Sequence, residues 1–414
     1  MSLHSTSIAS SRSRLDAQTS DRPPVFGTES SWSALALKPA RMKMALPSPD
    51  SRVPTIADAM SRNRNNFDLV RLGLALAVVV SHAFSITTGV PDHEPLKIST
   101  GFTLGEHAVN GFFAISGFLV TMSFDRRDWR DYVIARILRI APALIAATLI
   151  VGLVLGLALT RLPAAEYLAS PSLWRFVTAT LTEFKSNTSL PDVFAQNPFK
   201  APLATVWTLR YEVFCYLGVL ILGLAGLLRR RRMVLVGVAG LAFALAGLGI
   251  VDPDASKGVE TALRLPLIFA AGGAVYLWRD RVPLSAGLAA AILFAAVLLH
   301  ETFAYRPMLF LAETYGILWL GLARGVPTIA PKADLSYGTY LYGWPVQQAL
   351  VALFPSAAAL TLLMPALAIT LAAAALSWHL VEKPSLALKA RMLGNKQRKA
   401  MGRALSEPGL QSGP

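Results

Sequence analysis

The stretch Asn65-Asn66-Phe67-Asp68-Leu69-Val70-Arg71-Leu72-Gly73-Leu74-Ala75-Leu76-Ala77-Val78-Val79-Val80-Ser81-His82 sets the reading of the whole chain. It is an apolar run of membrane-helix type, and it carries an arginine and a histidine eleven residues apart. Eleven steps of about 100° make three full turns plus about 20°, so both side chains leave the same helix face. They lie about 16 Å apart along the axis, against a hydrocarbon core about 30 Å thick. A permanent cation and a titratable base at two depths are expensive in lipid. They need a polar cavity, and such groups usually mark a site.

Composition agrees. Of 414 residues, 54% are hydrophobic and 15% charged, with a mean hydropathy of +0.48. That balance belongs to a multispanning membrane protein rather than a soluble globule. The one cysteine, Cys215, lies inside an apolar run, which excludes a disulfide framework or a cysteine-based metal site within one chain. A net charge of +14 would suggest nucleic acid in a soluble protein. Here the basic residues flank apolar runs and no nucleic-acid-binding motif accompanies them, so the charge reads as membrane topology.

Ten apolar runs are long enough to span: roughly 67–86, 107–124, 140–159, 206–228, 233–250, 263–278, 284–300, 306–323, 335–354 and 357–380. With the N-terminus inside, the inner loops 125–139, 229–232, 279–283 and 324–334 hold 13 Lys/Arg in 35 residues, against 6 in 83 for the outer loops. The predicted fold is therefore an all-α polytopic membrane protein of about ten transmembrane helices with both termini cytoplasmic. Residues 1–62 read as a disordered basic cytoplasmic tail, with no apolar signal-peptide core near Met1. Residues 63–388 form the membrane domain, and 389–414 a polar basic cytoplasmic tail. The long outer loop 160–205 either covers an outer-face site or lies on the interface.

Several residues could carry chemistry. His82 falls about 6 Å and Glu212 about 9 Å below the outer surface. If the first and fourth spans adjoin, Glu212 can orient the imidazole; otherwise the two are separate polar groups. Ser116 sits beside Gly117 in Asn110-Gly111-Phe112-Phe113-Ala114-Ile115-Ser116-Gly117, where small residues also serve helix packing. Arg136 and Arg139 are neighbours on a helix surface and suit either phosphate binding or plain inner-face anchoring. Arg210, Arg264 and Glu313 fall within spans, so each faces a cavity or a partner. His93, His107, His300, His379 and Glu382 read as interfacial. No cluster has metal-ligand spacing, and no Walker loop, Gly-x-Ser-x-Gly elbow or dinucleotide fingerprint occurs.

Taken in order, these segments resemble the acyltransferase-3 family of integral membrane acyltransferases. Arg71 and His82 resemble its R/K-x10-H signature, and Phe112-Phe113-Ala114-Ile115-Ser116-Gly117-Phe118-Leu119 its second-helix motif. Arg136-x-x-Arg139 with Pro142 resembles its inner-loop arginine motif, and Trp207-Thr208-Leu209-Arg210-Tyr211-Glu212 its W-S/T-L-x-x-E segment. Leu335–Pro345 and Glu382-Lys383-Pro384 resemble its closing segments. The likeness covers about residues 65–388.

The resemblance implies O-acylation, usually acetylation, of a carbohydrate or lipid-linked glycan in the bacterial inner membrane. The donor it implies is acyl-CoA, foremost acetyl-CoA, with no metal and no nucleic acid. On that reading His82, Glu212 and Arg71 are the candidate catalytic residues. Arg136, Arg139 and Ser116 are the candidate donor-binding residues. His82 serves either as base toward an acceptor hydroxyl or as a covalent acyl carrier. The alternative is a transporter or flippase of glycans, although no internal repeat of the usual kind occurs.

Overall fold

The computed structural model describes residues 53–62, 65–90, 94–251, 256–323 and 333–388. The expected tails lie outside these residues apart from 53–62, and so does His93. Every regular element among the described residues is a helix. In chain order they are α1 Ile56–Met60, α2 Phe67–Ile86, α3 Pro95–Thr100, α4 Leu104–Asp125, α5 Trp129–Leu149, α6 Gly156–Leu159, α7 Ala164–Ala169 and α8 Pro171–Glu183. They continue with α9 Trp207–Leu224, α10 Arg231–Val251, α11 Lys257–Leu277, α12 Ala286–Leu298, α13 Tyr305–Leu322, α14 Ser336–Leu353 and α15 Ala359–Ser377. A π-helical stretch, Ile150–Leu155, joins α5 to α6, and another, Trp378–Glu382, prolongs α15.

Each predicted apolar run falls on a helix. Seven segments are long and apolar enough to cross a membrane: Phe67–Ile86, Leu104–Asp125, Trp129–Leu159, Ala204–Leu224, Arg231–Val251, Lys257–Leu277 and Ala359–Leu388. The other three are shorter or more polar. α12 has 13 residues, while α13 carries Arg306 and Glu313 and α14 carries Gln347 and Gln348.

Two expectations need correction. Residues 125–139 are not a loop: α5 starts at Trp129, where the Asp128 side chain accepts from the Arg130 N–H. The arginines sit on a helix whose Tyr132, Ala135, Ile140 and Ala143 are buried at helical spacing, so the period runs straight through the basic segment. Nor is the end of the predicted N-terminal tail loose. Thr55 and Asp58 form a capping box around α1. Ile56 is fully buried, and the Ile56 and Leu284 amides donate to the carbonyls of Val282 and Pro54.

α4 is the central helix, packed against α2, α9, α11 and α13. Its approach to α11 is closer than any side chain permits. A Cβ on Gly117 would fall 1.9 Å from the Phe269 carbonyl oxygen, and one on Gly272 would fall 2.2 Å from that of Ala114. Small residues thus weld these two helices backbone to backbone. Cross-links also give helix directions. Asn110 meets Arg264 and Asp125 meets Tyr276, so α4 and α11 run the same way. Asp334, just before α14, meets Arg71, while Trp344 meets His82, so α2 and α14 also run the same way.

Within this bundle lies a buried polar chain. The Arg264 side chain is 1% exposed; its Nε lies 3.0 Å from Glu260 Oε1 and its Nη1 donates to Asn110 Oδ1 at 2.6 Å. Asn110 Nδ2 donates to Glu313 at 2.8 Å, Glu313 pairs with His107, and His107 reaches the Thr100 hydroxyl at 2.8 Å. Phe102 and Phe310 cover the guanidinium. His107 therefore faces the bundle, paired with the partly buried Glu313 of α13. Arg264 and Glu313 have their partners; Arg210 is exposed and donates to the Glu183 carbonyl. His300 and His379 are exposed, whereas Glu382 is buried and accepts from Ser377.

The long loop 160–205 is folded. α8 lies against α5 and the π-helical stretch, and α7 lies against α8, with the Tyr167 hydroxyl donating to the Gly152 carbonyl of that stretch at 2.6 Å. Residues 197–201 are stitched to α14: Asn197 donates to the Gln348 carbonyl, Gln348 to the Phe199 carbonyl and Trp344 to the Ala201 carbonyl.

Candidate active site

The helix α2 presents Arg71 and His82 on the face that meets α14, as the eleven-residue spacing requires. The two side chains open into different cavities. Named after the sides that the sequence predicts for them, the inner cavity, of about 200 Å³, is lined by Arg71, Ser116, Arg136, Arg139 and Glu212, together with Tyr216, Tyr337 and Tyr340. The outer one, of about 400 Å³, is lined by His82, Ser81, Ser85, Asn187, Trp207 and Trp344 among others. Five of the six candidate residues thus converge, and His82 stands apart from them.

The inner cavity is organised around charge. Asp334 Oδ2 lies 2.8 Å from Arg139 Nη2 and 3.3 Å from Arg71 Nη1, and the Ser336 hydroxyl donates to Asp334 Oδ1 at 2.6 Å. Burial pushes the Asp334 carboxyl up, but Arg139, Arg71 and the Ser336 hydroxyl together hold it well below the usual carboxylate range. Glu212 accepts from the Tyr216 hydroxyl and from Ser116 Oγ, the latter at 3.3 Å. Arg136 lies over the rings of Tyr216 and Tyr132, 5.4 and 6.0 Å from their centroids. It makes no ion pair among the described residues, and its buried Nε has no hydrogen-bond partner. One guanidinium is therefore free for an incoming anion while two others share a resident carboxylate.

In the outer cavity, the His82 ring stands edge-on to Trp344 with centroids 4.9 Å apart, and its Nδ1 is buried without a partner. Glu212 does not orient it. That expectation rests on similar depth, and depth leaves the direction around the helix axis open. Residues Thr205 and Trp207 of the α9 entrance turn into the His82 cavity, whereas Glu212 turns toward Ser116 and Tyr216. The walls here mix hydroxyl, amide, ammonium, carboxylate and indole groups, Lys97, Lys257 and Glu106 among them, with the apolar Phe199, Ala201 and Ala204, and such a mixture can meet both the hydroxyls and the apolar face of a polyhydroxylated molecule.

Two parts of this arrangement could have been anticipated differently. Tyr216 is four residues after Glu212 on one helix face, which is a readable signal. Asp334 has no such signal, since it meets Arg139 across 195 positions.

The Asp334 pair gives an expected result. A carboxyl held below its ordinary value stabilises the fold at every pH above the ordinary range near 4, and that contribution is lost only as the pH falls below it. Asp334→Asn leaves both guanidinia without their carboxylate, at a cost of about 3–5 kcal/mol. The unfolding temperature of the detergent-solubilised variant should fall by a similar amount at all pH values between about 5 and 8. A deficit that vanishes toward the acid end of that window would show that Asp334 is not ionised across it.

This is an all-helical membrane protein whose polar cavities lie inside the bundle. The chain belongs to the acyltransferase-3 family: the family's acyltransferase domain matches residues 64–381. It is accordingly an integral membrane acyltransferase, which sets the transporter reading aside. It is similar to the O-acetyl transferase of Shigella phage Sf6, 26% identical over 329 residues, covering 77% of this chain and 95% of that protein. It is also similar to Nodulation protein 10 of Rhizobium leguminosarum bv. viciae, 29% identical over 370 residues, covering 81% of this chain and 97% of that protein. No solved structure matches it.

Proposed function

We propose that the protein is an O-acetyltransferase that takes the acyl group from cytoplasmic acyl-CoA, foremost acetyl-CoA, and places it on a hydroxyl of a carbohydrate or lipid-linked glycan at the outer face of a bacterial inner membrane. The observation that carries this reading is the division of labour along α2. Guanidinia line one cavity and an imidazole lines the other. In this reading both termini lie in the cytoplasm. The common direction of α2 and α14, and of α4 and α11, fits ten alternating crossings, since each pair joins runs of the same parity in chain order.

In this reading Arg136 and Arg139 hold donor phosphates, and Arg71 holds the donor deeper in the inner cavity. Glu212 positions Ser116 and Tyr216 in the cavity wall. His82 accepts the proton of the acceptor hydroxyl as it attacks the thioester carbon. The name of the phage relative supports acetyl as the group moved.

Transfer of radiolabel from acetyl-CoA to membrane glycans tests the activity, and absence of labelled glycan with the purified, reconstituted protein would overturn it. The double variant Arg136→Ala with Arg139→Ala removes two charge-assisted contacts, so donor KM should rise by about 10- to 100-fold or more, with little change in acceptor KM. An unchanged donor KM would make these arginines membrane anchors instead.

A further inference from the structure

We propose that Tyr340 is the latch of a septum that separates the donor thioester from His82 and from outer water until an acceptor is in place. The inference rests on the assignment of donor to the inner cavity and acceptor to the outer one. Tyr340, Thr208 and Phe112 line the inner cavity, and Thr205 lines the outer one. The Tyr340 hydroxyl joins the two walls: it donates to the Thr205 carbonyl at 2.9 Å and lies 2.5 Å from Thr208 Oγ. The Tyr340 ring stands edge-on to Phe112, with centroids 5.9 Å apart.

Helix direction puts this group at the outer end of the inner cavity. α14 passes Ser336 and Tyr337 before Tyr340, and α9 reaches Thr208 before Glu212 and Tyr216. Tyr340, Thr205 and Thr208 are all buried. Thr205 Oγ is a buried hydroxyl with no partner, so a displaced Tyr340 or an arriving acceptor hydroxyl finds a bonding group there.

The chemistry requires such a barrier. Transfer breaks the thioester C–S bond and forms an ester C–O bond. The acceptor's proton passes to His82 and then to the leaving thiolate, which departs as free CoA thiol. With water in place of the acceptor, the same steps give a free carboxylic acid and CoA, and the donor is wasted. A partition held by two hydrogen bonds of ordinary net strength is closed in most molecules yet opens readily, and each bond removed shifts that balance up to about tenfold.

The test is hydrolysis of acetyl-CoA by the reconstituted full chain with no acceptor present. Tyr340→Phe keeps the ring against Phe112 and removes the latch, and Thr208→Val removes one of its two partners. Acceptor-independent hydrolysis should rise on the order of tenfold in Tyr340→Phe and severalfold in Thr208→Val. Adding His82→Ala to either variant should return it to background. Hydrolysis at the wild-type rate in both variants overturns the latch. So does loss of transfer in Tyr340→Phe without added hydrolysis, because the hydroxyl would then act on the reacting carbonyl. If Tyr340→Phe does not fold, Thr208→Val decides alone. A wild-type protein that moves no acyl group from acetyl-CoA brings down the donor assignment itself, and the latch with it, whereas normal transfer without a leak sinks only the latch.

Discussion

His82→Ala is expected to lower acyl transfer by about 10²- to 10⁴-fold, the range over which a positioned proton acceptor acts, while leaving a folded and inserted protein. The separation of the two effects follows from what the ring touches. The ring packs perpendicular to that of Trp344, and its buried Nδ1 makes no hydrogen bond. The ring lines a cavity rather than filling the core, so truncation enlarges an existing space and strands no buried charge. The melting profile should therefore stay close to the wild type, and acetyl-CoA affinity, which the proposal assigns to the other cavity, should be unchanged. Full transfer activity in this variant would remove His82 from the chemistry. A large loss of stability would mean that the ring is a structural element.

The largest expected effect on stability belongs to Arg264→Met. The substitution keeps much of the volume but removes a guanidinium that is 1% exposed and sits 3.0 Å from Glu260 and 4.0 Å from Glu106. Removing one partner of a buried ion pair costs about 3–5 kcal/mol because the remaining charge is left uncompensated. Here the loss also unseats Asn110, whose amide oxygen accepts from Arg264 while its amide nitrogen holds Glu313. Against a total stability of about 5–15 kcal/mol that is a large fraction. Thermal unfolding in detergent measures it. Adding Glu260→Gln should recover part of the deficit, since it removes the stranded carboxylate, and that coupling is the signature of the pair. A variant as stable as the parent would show that the network contributes only geometry.

The sequence was most informative where periodicity alone decides the outcome. The first apolar run gave a helix with the bounds Phe67–Ile86, and the spacing of Arg71 and His82 put both on the side that meets α14. Gly117 was legible as a point of close approach, and Phe269 is what approaches it. What stayed out of reach depends on how helices are turned toward one another. Glu212 and His82 lie at similar depth, yet α9 turns Glu212 toward Ser116. His107 looked like a polar residue at a helix end until α13 brought Glu313 beside it, 206 positions later in the chain. Asp334 closes the arginine cluster from a short connector whose composition carries no such hint. A basic stretch that resembled a loop, residues 125–139, proved mostly helical because its apolar residues keep the helical period.

The parallel course of α2 and α14 carries a mechanical consequence. One unbroken helix holds Arg71 towards one end and His82 towards the other, the first facing Asp334 just before α14 and the second Trp344 within it. Sliding or tilting α2 against that neighbour cannot relax one end without disturbing the other. Whatever coupling such a movement carries between the two cavities has, by thermodynamic reciprocity, equal strength in both directions.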